Sequence, residues 1–440
     1  MKFNRLVTLF ISILLSGATA LAKVDVLIIT DLGGHESTAA GIEYDLDQLG
    51  LTHKRLYVSE FSASEEEDDG SYLRAFAETP ELINRASDNL AHRSKSVSTL
   101  SKLNYAKPWY SLEKFVRRLR DEEPSVLLTT TYQPTEIMEE AVEQHLVKNL
   151  PTAYIQTDYG RNHYLARVVP GGNSIDKVFG PTAAYIQTAE QLGVRGGKLV
   201  RSGMPISPAV RKTLNAAQIA QLRSHIGLVE GVPTIFLGGG SFGLGKFGEM
   251  LDSISKSFNG REVQVVVATG RNKNAPAQVE ALRAKLPNNV KVLPLGFTPD
   301  MAMYQKYLAD VVVTKAGGLT TTELTYMRKN MVLIRPAVNF ERANLRWFVS
   351  RRLALSAELS GIGEAARRFI DDQQLVRTIR AAQDNEMKDY HPEKIAQWSQ
   401  RAVERQNARA ITKPYFADER TVVTHNPTGR LHGTCEGLFH

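Results

Sequence analysis

A strand that ends in paired glycines and runs straight into a helix constrains this chain more than any other feature. Val311, Val312 and Val313 read as a buried parallel strand that Thr314-Lys315 ends. The chain then turns on Gly317-Gly318 and re-enters a helix through Thr320, Thr321 and Thr322. Glycine lets a ligand come close to the backbone, and free N–H groups at the positive end of a helix dipole favour a diphosphate. Glu323, one turn into that helix, is an acceptor-only carboxylate able to hold two vicinal ribose hydroxyls. An ordinary βα connection with a threonine cap and a solvated glutamate accounts for the same residues equally well.

The unit recurs. With 440 residues the chain is too long for one core, which calls for two domains plus appendages. From Val24 to about Ile206, strands VDVLIIT, SVLLTTT and TAYIQTD alternate with helical patterns, the first carrying Ala39, Ile42, Leu46 and Leu49 at helical steps. PTIFLGGG, VQVVVATG, VKVLPLG, DVVVTKAGG and MVLIRPA form a second alternating series from about Gly231. The expected fold is therefore α/β, two Rossmann-like doubly wound domains facing across a cleft. We assign 23–213 to the first domain, with a helical insertion at 71–120 behind the acidic run Glu65 to Asp69. The second takes 228–363, with helices at 364–405 and a loosely structured tail at 406–440.

Residues 1–22 stand apart. Lys2 and Arg5 precede an apolar run, and Ala20-Leu21-Ala22 offers a cleavage site, so the segment reads as a signal peptide or membrane anchor. The expectation is export through the secretory pathway or anchoring at the N-terminus. A single cysteine, Cys435, leaves no intramolecular disulfide and no thiolate metal cluster. His425, His432 and His440 around it match no usual metal spacing. The net charge of +7 is modest and no nucleic-acid motif accompanies it. Two basic clusters interleave with aromatics, Lys114, Arg117, Arg118 and Arg120 beside Trp109, Tyr110 and Phe115, and Arg346, Arg351 and Arg352 around Trp347 and Phe348. Such clusters suit a peripheral membrane surface, and equally a solvated helix face over buried aromatics.

Two further glycine loops follow strands. In GGGSFGLGKF, Gly238, Gly240 and Gly243 give G-x-G-x-x-G, while Gly240, Gly245 and Lys246 give most of a P-loop. Phe247 stands where a P-loop places its Mg²⁺-binding hydroxyl, and VQVVVATGRN ends without the acidic residue of a dinucleotide fold. What remains is an anion cradle without a metal ligand, or a tight strand-to-helix turn. Asp31, Gly33, Gly34 and His35 form the equivalent loop of the first domain, where His35 could serve as a general base. Asp158 and His163 follow another strand end and are candidates for the acceptor side.

Taken in order, these segments resemble the GT-B glycosyltransferases of family 28, in the branch of monogalactosyldiacylglycerol synthases and processive diacylglycerol glucosyltransferases. VLIITDLGGHESTAA, RSGMPISPAV, FLGGGSFG, VVVATGRN and LGFTPDMAMYQKYLADVVVTKAGGLTTTEL carry the resemblance, which runs from about Val24 to Ala357. It implies transfer of a hexosyl group from a UDP-sugar to an acceptor hydroxyl, here of a lipid such as diacylglycerol. It assigns donor binding to Gly317, Gly318, Thr320, Thr321 and Glu323, joined by Gly239, Gly240, Arg271, Glu341 and Asn344. His35, with Asp31 close by, takes the acceptor-side catalytic role, and no metal is implied.

Three departures mark this chain. Asn339 and Phe340 stand where the family shows Gly-Gln before its Glu, the loop Leu32-Gly33-Gly34-His35 is one glycine short, and Ser207 replaces a hinge arginine. Two other readings fit the same architecture: a UDP-sugar 2-epimerase-like enzyme, and a nucleotide-sugar-binding protein without turnover.

Overall fold

The computed structural model describes residues 23–63, 110–148, 150–160, 174–240, 245–336 and 339–409. The leader 1–22, the acidic run, the insertion up to 109, His163, Gly243 and the tail beyond 409 lie outside the described residues.

Two parallel six-stranded sheets organise the chain. The first contains β1 (Val26–Thr30), β2 (His53–Tyr57), β3 (Val126–Thr129), β4 (Thr152–Ile155), β5 (Lys177–Gly180) and β6 (Leu199–Arg201), in the order β2-β1-β3-β4-β5-β6. The second contains β7 (Thr234–Gly238), β8 (Val263–Gly270), β9 (Val290–Gly296), β10 (Val311–Lys315), β11 (Asn330–Ile334) and β12 (Leu355–Ala357), in the order β12-β11-β10-β7-β8-β9. The central strands are mostly apolar and buried because helices cover both faces.

The helices of the first lobe are α1 (Gly34–Gln48), α2 (Leu112–Glu122), α3 (Gln133–Glu143) and α4 (Ala183–Gln191). A short α5 (Pro208–Arg211) and α6 (Ala216–His225) lead to the second lobe. There α7 (Phe247–Ser257), α8 (Ala275–Arg283), α9 (Met301–Leu308), α10 (Gly318–Tyr326) and α11 (Asn339–Ser350) alternate with the strands. The chain ends on α12 (Ile362–Asp371), α13 (Gln373–Glu386) and α14 (Glu393–Arg409). Helix α14 runs four residues into the stretch expected to be loose tail. Its apolar side, Ile395, Trp398, Ala402 and Val403, packs back onto β1 and α1 of the first lobe, and Gln406 is still buried. Tertiary burial thus extends a helix that composition alone ends early.

Strand order fixes where a ligand can sit. In the first sheet the connections run one way from β1 and the other way from β3, so the crevice opens between these two strand ends. In the second sheet the reversal falls between β7 and β10. The loops after those four strands carry His35, Thr130, Gly239-Gly240 and Gly317-Gly318 respectively. A shared core crosses between the lobes, packing Tyr159, Met204 and Ile206 with Leu319, Leu324 and Phe348. The lobes are therefore in direct contact along this core.

Candidate functional site

On the first-lobe side, Gly33 adopts φ 80°, a left-handed conformation that suits glycine, and starts α1 so that His35 turns toward β3. Its Nδ1 lies 2.7 Å from the Thr130 carbonyl oxygen and 3.2 Å from Thr157 Oγ1. A carbonyl only accepts, so Nδ1 carries a proton, and in the neutral ring the lone pair lies on Nε2. That tautomer makes Nε2 the basic atom. Asp31 does not share this arrangement: its Oδ1 accepts from the Leu32 amide at 2.8 Å and closes its own loop. His35 Nδ1 is held instead by Thr130 and Thr157.

Across the seam, α10 starts at Gly317, whose surroundings are open: an added methyl would meet nothing within 4 Å. Gly318 is different. A methyl there would overlap the Thr157 carbonyl, so this glycine is required for lobe-to-lobe contact. Thr321 is buried and its hydroxyl donates to the Gly317 and Gly318 carbonyls, 2.8 and 3.0 Å away, which removes it from the set of ligand-facing hydroxyls. Thr320 remains partly exposed at the helix start. After β7, Gly240 holds φ 73°, and a Cβ there would lie 2.9 Å from Lys315 Cε. The two glycine loops of the second lobe thus share one cation. Lys315 Nζ also pairs with Glu341 at 2.7 Å.

Asn344 was expected to address a sugar. It is fully buried instead: its Oδ1 accepts from the Tyr159 amide at 2.8 Å, and its Nδ2 donates to Asp158 Oδ1 and the Ala316 carbonyl at 2.8 and 2.9 Å. Every polar atom is used, and the side chain acts as a clasp between lobes. Arg271 likewise spans the seam, pairing with Glu36 at 3.3 Å while its guanidinium carbon lies 4.2 Å from the centre of the half-exposed Phe297 ring. Glu36 also accepts from Tyr57 Oη at 2.9 Å.

Two carboxylates on the seam are held above the usual range by burial. Asp158 is raised by desolvation and by Glu341, against opposing effects of Asn344, His35 and Lys315. Glu323, 9% exposed, is pushed up to about 7 by burial, against a single hydrogen bond that the Ser207 amide donates to its Oε1 at 3.0 Å. Its carboxylate points into the seam, but in this closed arrangement one oxygen is already engaged by the hinge. A carboxylate has acceptor sites on both oxygens, so Oε2 could still take a ribose hydroxyl.

Sequence reasoning had not placed Lys315, Thr157 or Phe297 in the site. Lys315 was legible as a cation at a strand's C-terminal end beside two glycines; the other two depend on lobe docking. Among the described residues no group of three or more His, Cys, Asp or Glu could hold a metal ion, and no helix is long and apolar enough to cross a membrane. Of the two basic clusters, the first is tied to protein: Arg118 pairs with Glu60 and Glu122, both at 3.1 Å, and Lys114 bonds to the Ser62 carbonyl.

Known proteins share this architecture. Residues 234–341 match the Glycosyltransferase family 28 C-terminal domain. The processive diacylglycerol beta-glucosyltransferase of Staphylococcus carnosus is 29% identical over 251 residues, 57% of this chain and 60% of the relative. That of Staphylococcus aureus strain Newman is 30% identical over 248 residues, 54% and 57%. The matched stretch thus spans about three-fifths of these relatives. Among solved structures, MurG of Acinetobacter baumannii (14% identity, TM-score 0.53) covers 86% of this chain and 99% of its own. Anabaena HepE in complex with UDP-glucose (14%, TM-score 0.51) covers 87% and 99%. With two six-stranded parallel sheets meeting at their switch points, the fold is GT-B, and the resemblance to family 28 holds.

Proposed function

We propose that this chain, with a family 28 match over 234–341 on a GT-B fold, transfers a hexosyl group from a UDP-sugar to the hydroxyl of a lipid such as diacylglycerol. The observation that carries the reading is the convergence of three groups at the two switch points. These are the open Gly317 start of α10, the Gly240–Lys315 contact, and the His35 ring, whose Nδ1 is held by Thr130. A donor diphosphate lies against the first amides of α10, where the helix dipole and Lys315 stabilise it. Glu323 takes the ribose through the oxygen that Ser207 leaves free.

In the transfer step the acceptor oxygen attacks the anomeric carbon as His35 Nε2 takes the hydroxyl proton. The bond from the anomeric carbon to the phosphate oxygen breaks and its electron pair leaves with UDP, inverting the anomeric centre. The positive charge that the leaving group needs comes from Lys315 and the helix start, with no metal in the scheme. Phe340 in place of the family's glutamine leaves the hexose to be read by other groups, Glu341 first among them.

The closed seam favours one other reading, a nucleotide-sugar-binding protein that has lost turnover, because Asn344 and Gly318 hold the lobes together on the donor loop. Incubation with a panel of UDP-hexoses and diacylglycerol vesicles, followed by product analysis, separates the two. Glycolipid with release of UDP supports transfer. Tight donor binding without any product supports the binding protein, and free epimerised sugar would support the epimerase.

A further inference from the structure

Asp158 follows β4 of the first lobe, yet its carboxylate lies against the helix that starts the donor side. A Cβ added to Gly318, the first residue of α10, would lie 3.1 Å from Asp158 Oδ1. Asn344 Nδ2 holds that oxygen at 2.8 Å and also donates to the Ala316 carbonyl at 2.9 Å, which ties the carboxylate to the turn before α10. The charged and titratable groups that act on it come from three further elements: His35 on α1, Lys315 at the end of β10 and Glu341 on α11. Lys315 is already paired with Glu341 at 2.7 Å. Within this group two carboxylates thus face one ammonium, at a turn whose free amides and helix dipole favour anions.

We propose that Asp158 is a specificity-determining residue of the donor site: its carboxylate lies beside the diphosphate position and disfavours UDP relative to the UDP-sugar. Free UDP ends in a phosphate that loses its last proton near pH ~6, so at neutral pH it carries more negative charge than the same diphosphate esterified to a sugar. A fixed negative charge beside the α10 turn penalises each anion in proportion to its charge, and the product is penalised more. That extra charge appears on UDP as the bond to the sugar breaks, so a carboxylate that tolerates the donor helps to expel the product. If Asp158 only anchored Asn344, the two ligands would respond alike, because an amide oxygen accepts that hydrogen bond equally well. The inference rests on the donor placement proposed above, and it gives Asp158 a donor-side role beyond the acceptor-side one expected of it.

The test is calorimetric titration of UDP and of UDP-glucose into the full chain, wild type against Asp158→Asn. The amide keeps an acceptor for Asn344 and removes the charge. Glu190→Gln, which removes a charge from the exposed end of α4 in the same lobe, is the control. In Asp158→Asn, UDP tightens on the order of tenfold and UDP-glucose about threefold, so preference shifts toward the product. The control leaves that ratio unchanged. The gain grows with pH, because burial raises the Asp158 pKa and the charge appears only above it. Unchanged or weaker UDP binding in Asp158→Asn wherever the chain is folded overturns the proposal, and so does equal tightening of both ligands. Failure of wild type and variant alike to bind either ligand is a different result: it removes the donor site itself, and this inference with it.

Discussion

The Glu323 carboxylate accepts from the Ser207 amide across the junction of the two lobes, at 3.0 Å, and this hydrogen bond opposes the burial that raises its pKa to about 7. Glu323, in the second turn of α10, thus couples this helix to the Ser207 segment.

That coupling depends on pH. The folded-state pKa lies above the unfolded value near 4.5, so the folded chain binds the extra proton between the two. The contribution of Glu323 is fully present below the lower value and is lost as pH rises through about 7. Asp158 shifts in the same direction and adds to the effect. Glu323→Gln keeps an acceptor for the Ser207 amide without the charge. Unfolding free energy should therefore fall less for this variant than for the wild type between about pH 5 and 8, by about 1–3 kcal/mol, with melting temperature following the same trend. Parallel melting curves across that range would remove Glu323 from the hinge account.

The Asn344 clasp gives a stability prediction. Asn344→Ala leaves the Tyr159 amide and the Ala316 carbonyl without their partner and frees Asp158 beside them. The loss is about 2–3 kcal/mol in denaturant unfolding, with a larger radius of gyration by small-angle scattering as the lobes separate. An unchanged unfolding midpoint would mean that the lobes are held by their apolar seam alone.

His35 should separate binding from turnover. Its Nδ1 is fixed by Thr130, so His35→Ala removes the base without disturbing α10. The expected result is a fall in kcat of about 10²–10⁴ with UDP affinity preserved. Steady-state kinetics with calorimetry checks this. A change in KM alone would move the base elsewhere, and Asp31→Asn, which touches only the Leu32 loop, should cost much less.

The strands with long apolar runs were legible: Val263–Gly270, buried nearly end to end, and the edge strand Val290–Gly296, whose Val290 and Val292 are buried, fall where the pattern puts them. The strands that escaped notice are short or polar. HKRLY (β2) and LSA (β12) lie at sheet edges, and KVFG (β5) and LVR (β6) span four and three residues. The glycine loops and His35 could be read because ligand loops sit at strand ends. What Asn344, Gly318 and Arg271 do could not, since each is decided by a partner more than a hundred residues away in the other lobe. The same polar side chain serves as ligand or clasp according to how the lobes dock, and local pattern carries no information on docking.

The central claim is that a nucleotide diphosphate rests on the open first turn of α10. Gly317 has φ −72° and free space around its Cα, so Gly317→Val leaves the fold intact while placing a side chain where the phosphates would lie. Calorimetric titration of UDP and UDP-hexoses into wild type and this variant is the most direct test. The account predicts saturable binding by the wild type, at least tenfold weaker in the variant at an unchanged melting temperature. Wild-type chain that takes up no uridine diphosphate, or a variant that binds it undiminished, would contradict it.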